Sequence, residues 1–442
     1  MYTLYNLLYG LGALLMAPYY AWRYRGSAFL RASWRERLGL LPRAFEQSQR
    51  ESIWVHAVSV GETLAVSSLV RELQRYYPER KIFLSHVTPT GREAGEKRMP
   101  EIAGRFYLPL DLSGPVKRAL ARLRPRLLLV VETELWPNLL RWAHRYGTRV
   151  VLVNARLSDR SLRGYRRFRF FMRRVLGNVD WIFAQTLEDA ERFCDLGALP
   201  ERVLALGNLK FDVQPPPAPP SLRLWSVALR SIPRRPVLIA ASTMPGEEEI
   251  LLGAWREVRR LHARALLILA PRHPARFREV ADLLAGRGVA CVRRTELSAS
   301  LSELRTQLAK PDVLLLDSIG ELAGIFELAD VVLMGGSLVP EGGHNLLEPA
   351  WARRAVIFGP YMNNFRDAAA LFLDAGAAIQ VADSRELVRE TLELLDDADR
   401  RESLGEAARL LVERQSGATM RILERLESLL EDFTPTHTAG GA

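Results

Sequence analysis

Short apolar segments that alternate with amphipathic helical patterns constrain the fold of this chain more than any other feature of its sequence. In the first half, the segments predicted as buried parallel strands are 53–57, 81–85, 127–131, 149–153 and 181–184. In the second half they are 237–241, 265–270, 289–292, 313–316, 331–334 and 355–358. Helical patterns such as 62–76, 136–146 and 187–194 separate the strands. Strict alternation of strand and helix predicts doubly wound α/β sheets.

A proline-rich segment divides this alternation into two. Residues 213–221 contain five prolines in nine positions, which favours an extended linker. We therefore predict two Rossmann-like domains, at 23–212 and 222–432, with the last helices packing back on the first domain. Residues 433–442 are expected to be frayed. Ligands of such sheets bind beyond the carboxyl ends of the strands, and here also in a cleft that the two domains face.

Composition excludes several classes of protein. Hydrophobic residues make up 48% and charged residues 25% of the chain, which excludes wholesale disorder. The two cysteines, Cys194 and Cys291, are far apart, which excludes a disulfide scaffold and a zinc ribbon. No GxGxxG motif follows a predicted strand and there is no P-loop, so dinucleotide dehydrogenases and ATPases are excluded. The scattered histidines predict no metal site.

The first 22 residues are predicted to form a membrane anchor. They contain no charged side chain, and a helix needs roughly 20 apolar residues to cross a bilayer. Arginines follow at once, at 23, 25, 31, 35 and 37, so the positive-inside rule places the rest of the chain in the cytoplasm. The alternative is a buried or interfacial helix. Pro18 would kink or shorten a true span.

A second candidate membrane contact is the basic stretch at 161–177. At helical spacing, Tyr165, Phe168, Phe171, Met172 and Val175 share one face, while arginines occupy much of the rest. Such a helix suits an anionic lipid surface. Core packing beside a solvated basic face is the equal alternative. A nucleic-acid patch is disfavoured, because no nucleic-acid-binding motif accompanies the arginines. The net charge of +10 indicates an anionic partner without selecting one.

Carboxylates and one lysine follow the predicted strands of the first half. Glu62 lies between the end of the first strand and the start of a helix, where the helix dipole would keep it ionised and available as a general base. Complementing the dipole is its alternative role. Glu132 and Glu134 follow a later strand and could hold acceptor hydroxyls or pair with arginines. Lys210 precedes the linker, where it could neutralise charge on a phosphate leaving group or remain a solvated surface lysine.

Three stretches of the second half are candidates for binding a phosphate. Pro271 and Arg272 follow a strand, and arginine is a natural bidentate phosphate ligand. Residues 317–322 follow another strand with free backbone amides at a helix start. Residues 342–349 combine glycines with a helix that we expect to begin at Asn345, where a phosphate could be received. Asn345 and Glu348 also have the spacing of a capping box.

These motifs, in this order, resemble the 3-deoxy-D-manno-octulosonic acid (Kdo) transferases of Gram-negative bacteria. The resemblance runs from the first helix to about residue 430. It is carried by residues 56–62, 87–91, 132–138, 154–158, 207–212, 271–274 and 342–348. It implies a GT-B glycosyltransferase with an N-terminal acceptor domain and a C-terminal donor domain. The family transfers Kdo from CMP-Kdo to the 6'-hydroxyl of lipid IVA, with inversion and no cofactor, at the cytoplasmic face of the inner membrane.

The resemblance also implies roles for individual residues. Glu62 matches the family's catalytic base, and Glu132 and Lys210 match its transition-state stabilisers. The matches to its CMP-binding stretches are Pro271, Arg272, Ile319, Gly320, Glu321, Asn345, Leu346, Leu347 and Glu348. One departure is the segment 242–247, Ser-Thr-Met-Pro-Gly-Glu, where the family usually has His-Glu ahead of Gly-Glu. This segment has no histidine to make any donor contact that the family's histidine makes.

Three other functions compete with this interpretation. Another cleft-forming enzyme would use a UDP-sugar. A membrane-anchored, non-catalytic module would sense a nucleotide with the glycine-rich loop alone. A nucleic-acid binder would use the positive charge, and its affinity would fall steeply with salt. The resemblance favours the transferase, with CMP-Kdo, lipid IVA and the inner membrane as partners and no nucleic acid.

Overall fold

Two seven-stranded sheets, parallel at every strand pair, form the framework of the chain. The computed structural model describes residues 1–23, 28–49, 51–213, 220–232 and 236–431. Unit 1 comprises Met1–Val213 with Gln415–Ala442, and unit 2 comprises Gln214–Arg414. The predicted α/β class is confirmed.

Unit 1 has the strand order β3-β2-β1-β4-β5-β6-β7. Its strands are β1 (Ser52–His56), β2 (Ile82–His86), β3 (Gly104–Tyr107), β4 (Pro125–Val131), β5 (Arg149–Ala155), β6 (Trp181–Ala184) and β7 (Val203–Ala205). Its helices are α1 (Tyr2–Arg23), α2 (Ala28–Arg37), α3 (Val60–Tyr76), α4 (Pro89–Arg98), α5 (Ser113–Leu123), α6 (Pro137–Arg145), α7 (Asp159–Arg166), α8 (Arg169–Leu176), α9 (Leu187–Asp195) and, near the end of the chain, α19 (Ala418–Glu431).

Unit 2 has the strand order β10-β11-β9-β8-β12-β13-β14. Its strands are β8 (Val237–Thr243), β9 (Leu266–Pro271), β10 (Cys291–Arg293), β11 (Val313–Leu315), β12 (Val331–Met334), β13 (Ala355–Phe358) and β14 (Ile379–Gln380). Its helices are α10 (Pro220–Arg230), α11 (Glu247–Leu261), α12 (Phe277–Gly286), α13 (Leu301–Ala309), α14 (Leu322–Ile325), α15 (Leu347–Trp351), α16 (Arg366–Asp374), α17 (Ser384–Asp396) and α18 (Ala398–Gln415), which ends at the unit boundary.

The sheet of unit 1 is buried on both faces. Trp54 and Leu128 enter the apolar cluster on one face, whereas Val55 and Leu129 enter the cluster on the other. Helix α19 contributes to the second cluster, for example through Leu426. Because side chains alternate between faces, a strand covered on both sides has apolar residues at every position. This two-sided burial explains the continuous apolar segments of the sequence.

The predicted strands are all present, three with the predicted ends and the others with ends shifted by at most two residues. The sequence does not predict β3, β7 and β14, which are short strands of two to four residues. The predicted linker at 213–221 lies mostly outside the described residues, but α10 already begins at Pro220. The predicted tail at 433–442 lies wholly outside them.

The N-terminal helix forms, but the prediction that it crosses a membrane is not supported. Among the described residues, none of the helices combines the length and the apolar composition that a bilayer span requires. Helix α1 instead makes polar contacts with unit 1. The Tyr5 hydroxyl donates to Asp111 at 2.8 Å, and the Asn6 amide donates to the Ser113 hydroxyl at 3.3 Å.

The basic stretch at 161–177 is not one continuous helix. It divides into α7 and α8 around Phe168, whose φ of −117° interrupts the helical backbone. Phe168 therefore leaves the predicted apolar face and is exposed, as is Phe170. Met172 and Val175 are buried in unit 1, which agrees with the core-packing alternative.

Candidate active site

The order of the strands in unit 1 identifies the place where a ligand is expected to bind. The chain moves outward from β1 to β2 and β3, then returns to the other side of β1 with β4. Open parallel sheets bind ligands beyond the carboxyl ends of the strands at such a switch point. Here the two strands are followed by Glu62 and by Glu132, so both predicted carboxylates lie at the switch point.

The first turn of α3 holds the Glu62 side chain in place. Glu62 accepts hydrogen bonds from the Val58 backbone N–H and from the Ser59 hydroxyl, both at 2.8 Å. The Ser59 side chain in turn accepts from the Glu62 backbone N–H at 3.3 Å. Glu62 thus takes part in capping the start of α3, in addition to complementing the helix dipole, which was its alternative role. The same contacts fix the carboxylate in one position beside β1.

The electrostatics of Glu62 differ from the sequence-based expectation. Glu62 is only 8% exposed, and burial raises the pKa of its carboxyl above the ordinary value, against the lowering effect of its hydrogen bonds. The negative charge of Glu132 raises this pKa further, and Lys210 lowers it. Burial therefore acts on the pKa of Glu62 against the expected effect of the helix dipole. A raised pKa makes the ionised carboxylate a stronger base.

Glu132 and Lys210 form an ion pair in unit 1. The Lys210 Nζ lies 2.9 Å from the Glu132 carboxylate. Glu132 has a left-handed backbone with φ of 58°, and so has Asn154 with φ of 54°, each at the end of its strand. Non-glycine residues in this region are strained and cluster at functional sites. The structure therefore brings together Glu62, Glu132 and Lys210, as the resemblance implied.

The backbone around Lys210 is held by two asparagines. The Asn154 side-chain oxygen accepts from the Leu209 backbone N–H at 2.9 Å, and the Asn208 oxygen accepts from the Lys210 backbone N–H at 3.0 Å. Asn154 is fully buried. In the sequence it belongs to the motif 154–158, without a predicted role of its own. The sequence signal for such a role is a polar residue directly after the apolar segment 149–153.

Glu134 is a further titratable group at this site. It follows the same strand as Glu132, and the family resemblance gives it no role. Burial raises the pKa of its carboxyl to about 7, and the charges of Glu62 and Glu132 raise it as well. The Trp136 indole N–H donates to this carboxylate at 2.9 Å. Three carboxylates thus interact at the switch point, with one lysine to compensate them.

In unit 2, the switch point lies between β8 and β12. Glu247 is fully buried there and accepts hydrogen bonds from four backbone N–H groups. The donors are Met244 at 2.9 Å, Gly336 at 2.6 Å, Ser337 at 3.0 Å and Leu338 at 2.9 Å. This carboxylate holds the glycine-rich loop after β12. Glu247 belongs to the segment 242–247, which departs from the family pattern.

The predicted phosphate ligands follow neighbouring strands of this sheet. Pro271 is the last residue of β9, and the Arg272 N–H donates to the Thr243 carbonyl at 3.0 Å. His344 lies close enough to Arg272 for the arginine charge to contribute to its low pKa of about 4, of which burial is the main cause. The glycine-rich loop and Arg272 are therefore neighbours.

The helix expected at Asn345 begins later. Helix α15 spans Leu347–Trp351 with Leu346 before it, and the Asn345 side chain accepts from the Leu347 N–H at 3.1 Å. With Leu346 rather than Asn345 at the N-cap, the helix starts one residue later than the predicted capping box of Asn345 and Glu348 requires.

Residues 319–321 occupy the loop between β11 and α14. Ile319 is 77% exposed, and Gly320 has a positive φ of 86°. The Glu321 carboxylate accepts two hydrogen bonds from Arg294 at 2.8 Å and one from Ser318. The carboxylate of Glu321 is thus already paired, and the exposed Ile319 is the side chain of this stretch that can reach a ligand.

Known proteins resemble both the sequence and the fold. Residues 32–213 match the family model described as 3-Deoxy-D-manno-octulosonic-acid transferase (kdotransferase). A 3-deoxy-D-manno-octulosonic acid transferase from Bordetella pertussis is 40% identical over 86% of this chain and 87% of its own. Its Haemophilus influenzae counterpart is 35% identical over 86% of this chain and 88% of its own.

A solved UDP-GlcNAc 2-epimerase from Neisseria meningitidis has a similar fold. Its TM-score is 0.56 at 14% identity, covering 86% of this chain and all of that one. Together with the two parallel sheets, this similarity describes a GT-B-like α/β fold. The extent of identity to the curated transferases establishes the family. The chain is a glycosyltransferase and belongs to the 3-deoxy-D-manno-octulosonic acid (Kdo) transferases.

Proposed function

We propose that this transferase moves Kdo from CMP-Kdo to the 6'-hydroxyl of lipid IVA with inversion at the anomeric carbon. The observation that carries the proposal is the buried Glu62 carboxylate, with its raised pKa, beside the Glu132–Lys210 ion pair. A base that removes a hydroxyl proton must be fixed in position and basic enough to accept it. Glu62 meets both requirements.

The proposed step transfers one proton and releases one leaving group. The acceptor hydroxyl gives its proton to Glu62 while its oxygen bonds to the anomeric carbon of Kdo. The bond from that carbon to the phosphate oxygen breaks, and CMP leaves with the electron pair from the opposite face. Glu132 and Lys210 act as the transition-state stabilisers of the reaction, since a fixed charged pair needs no reorganisation as charge develops.

Unit 2 is proposed to bind the CMP half of the donor. Arg272 supplies a cation for the phosphate, and the loop held by Glu247 supplies close-lying backbone. The stretches at 319–321 and 345–348 complete the donor site. A UDP-sugar enzyme would prefer the uracil nucleotide, so thermal shifts with CMP and with UDP separate the two donors.

We also propose that the protein attaches to the cytoplasmic face of the inner membrane through α1 lying in the plane of the interface. The outward side of α1 exposes apolar side chains, which are Leu4, Leu7, Leu8, Leu11, Leu14 and Leu15. Exposed Phe168 and Phe170 add to this apolar surface from the region of α7 and α8. A helix with such a face inserts into the boundary between headgroups and acyl chains.

The direct test combines purified protein, CMP-Kdo and lipid IVA, with the product weighed by mass spectrometry. We expect a mass gain of Kdo for the wild type. Glu62→Ala should lower the rate by a factor of at least ~10² while the thermal shift with CMP is retained. A non-catalytic nucleotide sensor predicts no Kdo transfer by either protein, and retained transfer by Glu62→Ala would contradict the proposed base.

A further inference from the structure

Helix α1 contacts unit 1 through large side chains in its first turns and through small ones further along. The Tyr2 ring packs edge-on against Phe171, with 5.6 Å between the ring centroids, and Tyr5 is bonded to Asp111. Further along the same side, the half-buried positions are Ala13 and Ala17. Positions 13 and 17 are one helical turn apart and face the same way. The helix therefore approaches unit 1 closely at its start and leaves space beyond.

This space is a cavity of about 760 Å³. Its walls include Ala13 and Ala17 on α1, Trp34 on α2, Leu110, and Pro89 at the start of α4. Small-molecule sites have volumes of roughly 300–1,000 Å³, so the cavity is large enough for a ligand of that size. All of its walls belong to unit 1.

The chemistry of the walls selects a hydrocarbon ligand. The Thr88 hydroxyl in the wall is engaged, because it donates to the Val58 carbonyl at 3.0 Å and accepts from the Gly91 N–H at 3.1 Å. Arg37 donates to the Val87 carbonyl at 2.8 Å, and its guanidinium lies over the Tyr107 ring. With these polar groups occupied and most other walls apolar, burial of hydrocarbon is favoured over burial of a sugar or phosphate.

The cavity adjoins the proposed catalytic base. Val58 accepts a hydrogen bond from Thr88 in the cavity wall, and its own N–H donates to the Glu62 carboxylate at 2.8 Å. A single residue thus joins the wall of the cavity to the base. A ligand whose apolar part lies in the cavity has its polar end close to the switch point.

We propose that this cavity holds one acyl chain of the lipid acceptor and so orients its sugar toward Glu62. The inference rests on the proposed function, which supplies a lipid with both a sugar hydroxyl and hydrocarbon chains. Of the exposed leucines of α1, Leu14 lies at the cavity, and the others are proposed to contact the bilayer. The opposite side of the same helix receives the chain that leaves the bilayer with the acceptor.

The test uses a substitution on α1 that fills part of the cavity. Ala13→Phe places a ring in the space that the chain would occupy. We measure kcat/KM with lipid IVA and with the same sugar phosphate freed of its acyl chains, and take the ratio of the two. The ratio should fall about tenfold or more in Ala13→Phe, since several methylenes lose their burial. The matched control is Ala121→Phe at an exposed position of α5, which should keep the wild-type ratio.

The outcomes separate this inference from the proposed function. An unchanged ratio in a folded Ala13→Phe protein, checked by circular dichroism and thermal melting, overturns the acyl-chain site. Absence of transfer to either acceptor by the wild type overturns the proposed function instead.

A second measurement needs no substitution. Lipid IVA carrying a diazirine in one chain is photolysed on the wild-type protein, and we expect labelled peptides that contain Trp34 or Pro89. Labels confined to the exposed leucines of α1 would contradict the proposal. Equal labelling of Trp34 and Pro89 by a phospholipid with the same diazirine chain would show that bulk lipid is the occupant, and would overturn the assignment to the acceptor.

Discussion

At the scale of residues, the switch point of unit 1 is a cluster of coupled charges. The charges of Glu62 and Glu132 raise the pKa of Glu134, and the Glu132 charge also raises the pKa of Glu62. The base of the proposed reaction is active only when ionised. The rate should therefore fall as pH drops through the pKa of Glu62, which burial places above its ordinary value.

Glu132→Gln should move this acid limb of kcat/KM to lower pH. Removing the Glu132 charge removes one cause that favours protonated Glu62, and a shift of a few tenths to about one pH unit is expected. The measurement is a pH profile of Kdo transfer from pH 4 to 9, roughly the range in which carboxylates and histidines titrate. Glu427→Gln, at an exposed position of α19, should leave the profile unchanged. An unshifted limb in Glu132→Gln would show that Glu62 and Glu132 are not coupled.

At the scale of elements, α19 depends on one cap supplied from a distant part of the chain. The Asp212 carboxylate accepts from the backbone N–H groups of Gly417 and Thr419 at the start of the helix. The helix then buries Ile422, Leu423 and Leu426 in the core of unit 1. The hydrogen bonds of the cap and the burial of these side chains together fix the helix on the sheet.

Asp212→Ala should destabilise α19 by about 1–2 kcal/mol, because two N–H groups lose their acceptor. Hydrogen exchange measured by mass spectrometry should show faster exchange in residues 418–431 than in the wild type. Asp383→Ala is the matched control, since Asp383 caps α17 through the Arg385 and Glu386 N–H groups. It should accelerate exchange in α17 and leave α19 unaffected. Unchanged exchange in α19 of Asp212→Ala would mean that packing alone holds the helix.

At the scale of the whole molecule, an apolar helix face and a net charge of +10 both favour an anionic bilayer. We expect the wild type to float with vesicles that contain anionic lipid. Replacing Leu7, Leu11 and Leu15 with Ser should weaken binding at least tenfold, at a cost of roughly 0.8 kcal/mol for each methylene no longer buried. Higher salt should weaken the electrostatic part of binding in both proteins.

Flotation with the vesicles is measured by centrifugation in a density gradient at two salt concentrations. The control replaces exposed Leu187, Leu261 and Leu410, which lie on other helices, with Ser. If the α1 variant binds as well as this control, α1 is not the membrane contact.

Much of this architecture could be predicted from the sequence, and the exceptions have physical causes. Strands buried on both faces are continuous apolar segments, so β1 and β4 were visible, whereas β14 has only two residues. Glu62 and Lys210 were candidates from their positions beside the predicted strands and the linker, and the family resemblance supplied their roles. Asn154 and Glu247 received no role, because their importance lies in backbone groups that only the folded chain brings to them.

The α19 helix also determines when unit 1 can complete its core. Its apolar side chains fill the same cluster as β1 and β4, yet the whole of unit 2 separates them in the chain. At a synthesis rate of roughly 5–20 residues per second, at least several seconds pass between the synthesis of the first sheet and that of this helix. Throughout that interval, the face that α19 will cover is exposed to chaperones.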